Sequence, residues 1–295
     1  MERSNLFDRS FFIMKSYSVE AVVLRLRPLG EADRILTLFS RERGKLHAVA
    51  KGSRKTGSRF GARLDFFNRV WLSLHSGRSL DVVTGARSIP GPRMERSNSF
   101  DRPQPSVWER LVEPDAFALA SYAAEIVDAL CEPDLAVPDI FDLLCELRDA
   151  IGAGVQPAAL APAVDLRLLG AFGLAPELDA CARCGTPLGN RPLAGGRARL
   201  SPASGGLICA RCSIEDSAIG SGASGQTYSV SSGELALLRV LRAAPLRSLQ
   251  DIPDVAQVRR LTRPFVEYQL GRRSRALSID DSQRQRRRSS KSASR

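Results

Sequence analysis

From Tyr17 to Arg87 apolar and polar residues alternate in short runs broken by turn residues. Val22, Leu24 and Leu26 fall on one face of a first strand, Tyr17 to Arg27, and Val23, Arg25 and Arg27 on the other. Pro28 to Glu31 reads as a turn, Ala32 to Ser40 as a second strand and Lys45 to Lys51 as a third. Phe66 to His75 is a fourth, with Val70, Leu72 and Leu74 facing one way and Arg69, Trp71, Ser73 and His75 the other; Leu80 to Arg87 is a fifth. Period-two runs with Gly30, Gly44 and Gly77 at the turns predict an antiparallel unit. Five strands in so short a stretch fit a small Greek-key barrel of the oligonucleotide/oligosaccharide-binding (OB) type, which removes its edges by closure. An SH3-like barrel fits the same periodicity.

After Val107 the period changes. Leu111, Phe117, Leu119, Tyr122, Ile126 and Leu130 recur at helical spacing within Trp108 to Cys131. Ile140 to Ile151, Pro157 to Leu174, Ser232 to Leu241 and Val255 to Arg273 follow the same pattern. Pro133, Pro138 and Pro157 punctuate the starts, as proline suits a first helical turn. These helices predict an all-α body in which Cys131 and Cys145 are buried structural thiols. The expected class is therefore α+β multidomain. A flexible extension (1–13) precedes the barrel domain (14–92). A Pro/Gly/Ser-rich linker (93–106) leads to a helical domain (107–280) and a disordered Arg/Ser-rich tail (281–295). The opening MERSNLFDR recurs as MERSNSFDR from Met94, too short for a structural repeat and without a physical explanation. Met14 makes an alternative start, because the strand pattern begins just after it.

Charge sharpens this division. The chain of 295 residues carries +11, enough length for about two or three domains at roughly 100–200 residues each. Residues 14–92 hold 15 Lys and Arg against 6 Asp and Glu, residues 93–270 hold 17 against 22, and residues 271–295 hold 9 against 2. A basic first domain beside a mildly acidic body points to a polyanion partner at the barrel. No apolar run approaches the roughly 18 residues of a membrane span and no signal-peptide pattern opens the chain, so an intracellular, cytoplasmic protein is expected.

Two constellations carry chemistry. The first is KGSRKTGSRFGAR, in which Lys51, Arg54, Lys55, Arg59 and Arg63 sit on a pliable Gly/Ser backbone suited to phosphates. Arg25, Arg34 and Lys45 on neighbouring strands extend it. Trp71 is the clearest stacking candidate in a domain poor in aromatics, and fits a core position equally well. The domain is thus expected to grip phosphates and leave bases free, with little base preference and steep salt dependence. The second constellation is Cys181-Ala-Arg-Cys184 and Cys209-Ala-Arg-Cys212, two CxxC pairs separated by 24 residues. Four thiolates at this spacing predict one structural Zn²⁺ in a knuckle at 181–212, closed to water by its full ligand set. The segment between them, with Pro187, Gly189, Pro192, Gly195 and Gly196, reads as loop. There is no HExxH, no Gly-x-Ser-x-Gly and no nuclease-like carboxylate cluster, so no enzyme activity is expected.

Several stretches resemble one family in its own order. AVVLRLRPLGEADRILTLFSRERGKLHAVAKGSRK (21–55), DLRLLGAFGLAPELDACARCG, GGLICARC and FVEYQLGRRSRALSID are similar to the bacterial RecO family of recombination mediators, over about Lys15 to Asp280. The resemblance implies a DNA-repair protein with an OB barrel, a helical body and a zinc knuckle. It implies binding of single- and double-stranded DNA, annealing of complementary strands, and help in loading RecA onto DNA coated by single-stranded-DNA-binding protein. It implies RecR and the acidic C-terminal tail of the single-strand binder as partners, with work at the nucleoid. By the family pattern Lys51, Arg54 and Lys55 fall in the DNA-binding region and Cys181, Cys184, Cys209 and Cys212 match the zinc ligands. The first 13 residues, the MERSN insertion and the Arg/Ser tail depart from the pattern.

Overall fold

A computed structural model describes residues 16–58, 60–89, 107–188, 197–213, 226–274 and 276. The extension, the linker with the second MERSN copy, and the tail lie outside the described residues. Strands β1 (Ser16–Leu29), β2 (Asp33–Ser40), β3 (Gly44–Ala50), β4 (Arg69–His75) and β5 (Asp81–Ser88) close a barrel in the order β1-β2-β3-β5-β4. All pairs are antiparallel except β3 with β5. Val19, Ala21, Val23, Leu36, Leu38, Leu46, Val70, Leu72 and Leu74 fill it, and Phe60 and Leu64, which precede and end a 3-10 turn at Gly61–Leu64, belong to the same core.

The first strand departs from simple alternation. It continues through Pro28 and Leu29, so the turn sits at 30–32 instead of 28–31. A β-bulge between Val23 and Arg25 shifts the register, and such a bulge re-aims side chains. Val22 packs outward into the helical body by simple alternation and Leu24 follows it, while the bulge returns Leu26 to the barrel core. Phe66 and Phe67 also precede the fourth strand rather than open it. Phe67 takes a left-handed φ of +61° and is fully buried against the body.

The body comprises α1 (Val107–Leu111), α2 (Pro114–Leu130), α3 (Pro138–Gly152), α4 (Pro157–Ala171), α5 (Ser232–Leu241) and α6 (Arg259–Leu270). The helix expected over 108–131 breaks at Pro114, which begins α2 at the position that tolerates a missing N–H. Pro133 opens no helix; it lies in the α2–α3 connection. A three-stranded sheet of β6 (Arg197–Ser201), β7 (Gly206–Ile208) and β8 (Tyr228–Ser231), in the order β7-β6-β8, joins the helices. Ser231 accepts the Glu234 N–H while Glu234 accepts the Ser231 N–H, a capping box that starts α5 at the residue the sequence indicates.

One charge lies wholly inside the body. Asp165 on α4 is fully buried and accepts hydrogen bonds from Tyr122 (2.6 Å) on α2 and Thr262 (2.6 Å) on α6. Burial raises its pKa, partly offset by Arg259. A raised folded pKa means the native state holds a proton that the unfolded chain releases. Stability from this group is full below the ordinary carboxylate range and falls as pH rises through the folded value. Asp165→Asn is expected to remove that part of the pH dependence in urea unfolding followed between about pH 4 and pH 8. Asp165→Ala, which takes the acceptor from Tyr122 and leaves Thr262 only its longer bond to the Arg259 carbonyl (3.4 Å), should cost about 3 kcal/mol. An unchanged pH profile in the asparagine variant would contradict this.

Candidate nucleic-acid interface and metal centre

The chain leaves β3 at Ala50 and crosses the barrel end before β4. Gly52 (φ +68°) and Gly57 (φ +79°) supply left-handed turns that side chains resist. The Gly52 N–H donates to Asp33 Oδ1 (2.7 Å), the Arg54 N–H to the Ala32 carbonyl (2.9 Å), and Arg54 Nη1 to the Gly30 carbonyl (3.0 Å). The basic loop is thereby tied to the β1–β2 turn, and the two form one ledge.

Lys51, Arg54, Lys55 and Arg63 are exposed on this ledge. Lys51 and Lys55 make no side-chain hydrogen bond or ion pair with the described residues. Arg59 lies outside the described residues. Arg34, paired in register with Ala50, reaches Asp65 (3.3 Å) and is half-buried. Arg27, which was not singled out from the sequence, is exposed beside it on β1 and makes no side-chain contact of either kind with the described residues. Its alternation with Arg25 was the available signal.

Lys45 and Arg25 sit elsewhere. Lys45 is 8% exposed; its Nζ donates to the Asp128 carbonyl (2.7 Å) and lies 3.8 Å from the Asp128 carboxylate, which Arg25 also reaches at 3.2 Å. Arg43 pairs with Asp134 (2.7 Å) and Arg41 with Asp142. These barrel cations therefore join the barrel to α2, α3 and their connection. The expectation that Lys45 forms part of an open phosphate surface is corrected: the β2–β3 hairpin turns it into the body. Trp71 is half-buried on the outer barrel wall and belongs to neither hydrophobic core.

The sulfurs of Cys181, Cys184, Cys209 and Cys212 lie within 4.8 Å of one another. Cys184 and Cys209 are 3.8 Å apart, and a tetrahedron of ~2.3 Å zinc–sulfur bonds has an edge of about 3.8 Å. The two knuckles are joined by backbone. The Leu207 N–H donates to Glu177 (2.8 Å), the Ala182 N–H to Leu207 (2.7 Å), and the Cys209 N–H to Cys181 Sγ (3.4 Å). Gly206 is required here, since a Cβ would lie 2.4 Å from the Glu177 carbonyl oxygen. Hydrogen bonds from the Thr186 hydroxyl and amide hold the Cys184 thiol down to about 6, which favours its thiolate form. Cys212 is pushed up to about 12, first by proton sharing with Cys209 and then by burial. A divalent cation offsets that cost, and four soft sulfurs at this spacing fit one metal ion. The stretch between the pairs is not all loop, because β6 and β7 lie within it. Cys131 and Cys145 are buried apart from this cluster, and burial raises them to about 11 and 12.

Comparison with known proteins follows the same division. The model of the recombination protein O N-terminal domain matches residues 14–91, and that of the recombination protein O C-terminal domain matches residues 112–278. A DNA repair protein RecO of Cutibacterium acnes is 38% identical over 205 residues, covering 68% of this chain and 75% of the relative. One from Rubrobacter xylanophilus is 37% identical over 236 residues, 79% of this chain and 83% of the relative. One from Bifidobacterium adolescentis is 34% identical over 274 residues, 91% of this chain and 100% of the relative. Among the described residues no helix is long and apolar enough to cross a membrane.

Proposed function

Because this chain belongs to the recombination protein O (RecO) family, a family of DNA-repair proteins, we propose that it is a recombination mediator that binds single- and double-stranded DNA and anneals complementary strands. The observation that carries this is the ledge of Lys51, Arg54 and Lys55, with Arg27 and Arg63 at its margins, on a closed OB-type barrel. Arg34 flanks the ledge with part of its charge committed to Asp65, while Arg25 is turned to Asp128 on the body and is not part of it. Two strands approaching each other repel through their phosphates. Cations that neutralise both backbones lower that barrier without bond breaking or a nucleotide cofactor, so no enzyme activity is needed. The unit at 14–92 serves as the DNA-binding domain and the one at 107–280 as the scaffold.

Zn²⁺ is the metal that four cysteines at this spacing suit best. Cys181, Cys184, Cys209 and Cys212 would hold it, and its contribution is structural because no coordination position stays open. The family resemblance further supports RecR and the acidic tail of single-stranded-DNA-binding protein as partners. It also supports loading of RecA as the downstream event and the bacterial nucleoid as the place of work.

The test is annealing of labelled complementary strands already coated with single-stranded-DNA-binding protein. Wild type should anneal them. Lys51→Glu/Arg54→Glu/Lys55→Glu, a reversal at three exposed positions, should bind DNA about a hundredfold more weakly and fail to anneal while still unfolding cooperatively, with only a small loss of stability from the Arg54 bond to the Gly30 carbonyl. Annealing by a folded triple variant at the wild-type rate would move the function to another surface.

A further inference from the structure

We infer that the outer wall of β4 and β5 around Trp71 and Arg87 is a single-strand-selective site, where one nucleobase of a polynucleotide stacks on the indole and Arg87 takes an adjoining phosphate. This rests on the reading of the barrel as a DNA-binding domain and assigns the discrimination between single strand and duplex to a second place on it.

Trp71 follows Val70 and precedes Leu72, both fully buried inside the barrel, so alternation turns it outward. There it joins no hydrophobic cluster of the described residues, although an indole is among the most apolar groups a chain can leave half-open to water. Its register partners are Glu20 on β1 and Arg87 on β5, and paired residues share a face. Glu20 is already engaged by Arg69. Arg87 is exposed and makes no hydrogen bond or ion pair with the described residues. The next rung on this face is Ser18, Ser73 and Gly85, all small residues that present little bulk beside the indole. An aromatic platform beside a cation that has no partner among the described residues is the arrangement that unpaired bases recognise and that a base-paired stack cannot enter.

The wall is continuous with the ledge. β5 runs parallel to β3, so Arg87 lies toward the barrel end where the chain leaves Ala50 for Lys51. β5 also touches the 3-10 turn that carries Arg63. A strand gripped by Lys51 and Lys55 passes Arg63 before it reaches Arg87 and Trp71. The ledge holds phosphates of either form; the wall accepts an unstacked base only.

Trp71 and Trp108 are the only tryptophans, so Trp108→Phe leaves Trp71 as the sole indole reporter. Titration of that variant with an oligothymidylate should quench its fluorescence, and titration with a blunt duplex should not. In otherwise native protein Trp71→Ala should bind the oligothymidylate about tenfold more weakly and the duplex unchanged, while Trp71→Phe keeps most of the single-strand affinity. Absence of quenching by the oligothymidylate, or equal weakening of both ligands in Trp71→Ala, would overturn the inference. If the Lys51/Arg54/Lys55 reversal loses both affinities and Trp71→Ala neither, the ledge stands and the wall falls. If none of these variants changes either affinity, the proposed function falls with it.

Discussion

Gly44→Ala is expected to cost about 3 kcal/mol or more, an outsized effect for one methyl group at a hairpin turn. Gly44 has φ +67°, and a Cβ there would lie 1.8 Å from the carbonyl oxygen of Leu135 and 2.5 Å from its carbon. Both are backbone atoms of the α2–α3 connection, so no rotamer change relieves the clash. Moving that connection breaks the Asp134 N–H to Lys45 carbonyl bond (3.0 Å), and it pulls Asp134 from Arg43. Behind those contacts lies the apolar seam of Val22, Leu24, Phe39 and Phe67. Gly30 is the internal control: its φ is +58°, but no atom lies within 4 Å of its built Cβ. Gly30→Ala should cost only about 1 kcal/mol of backbone strain. Urea unfolding of the two variants, with limited proteolysis over 131–137, separates them. Equal stabilities would mean that the hairpin does not lock the barrel to the body.

Stripping the metal proposed for the four-cysteine cluster should destabilise the helical body by an amount on the order of 5 kcal/mol and leave the barrel folded. The sulfurs do not hang on a detached loop. Cys181 and Cys212 are 2% and 4% exposed and share the body's core with Leu178, Leu207 and Ile208. Without a cation the sulfurs take up protons and lose the bond that draws all four together, and the hydrogen bonds joining Glu177, Ala182 and Leu207 are too few to hold them there. Chelation should therefore release one ion per chain, lower the Tm of the body and open the knuckle to protease; restoring zinc should reverse all three. Cys212→Ser should reproduce the loss. An unchanged Tm after complete chelation would make the cluster a set of reduced thiols with no structural metal.

Much of this was legible in the sequence, for identifiable reasons. Val70, Leu72 and Leu74 alternate cleanly and lie inside the barrel. The two CxxC pairs declare their cluster because short turns bring each pair together whatever the rest of the chain does. What alternation conceals is a change of register: the bulge after Val23 sends Leu24 and Leu26 into different cores. Lys45 reads as a surface cation because its partner Asp128 is 83 residues away, and no local pattern encodes that meeting. Phe117 keeps helical spacing yet is half-exposed over Phe66, with ring centroids 5.3 Å apart, because α2 lies against the barrel rather than being covered all round. Strands β6 to β8 are short and embedded in glycine and proline, below the length at which periodicity speaks.

The most direct measurement is the salt dependence of single-strand binding, wild type against Lys51→Gln/Arg54→Gln/Lys55→Gln. Each phosphate contact contributes about 0.7 to the slope of log affinity against log salt for a single strand, so the triple variant should lose about 2 from that slope. That loss identifies the ledge as the surface that holds the nucleic-acid backbone; identical slopes would contradict it.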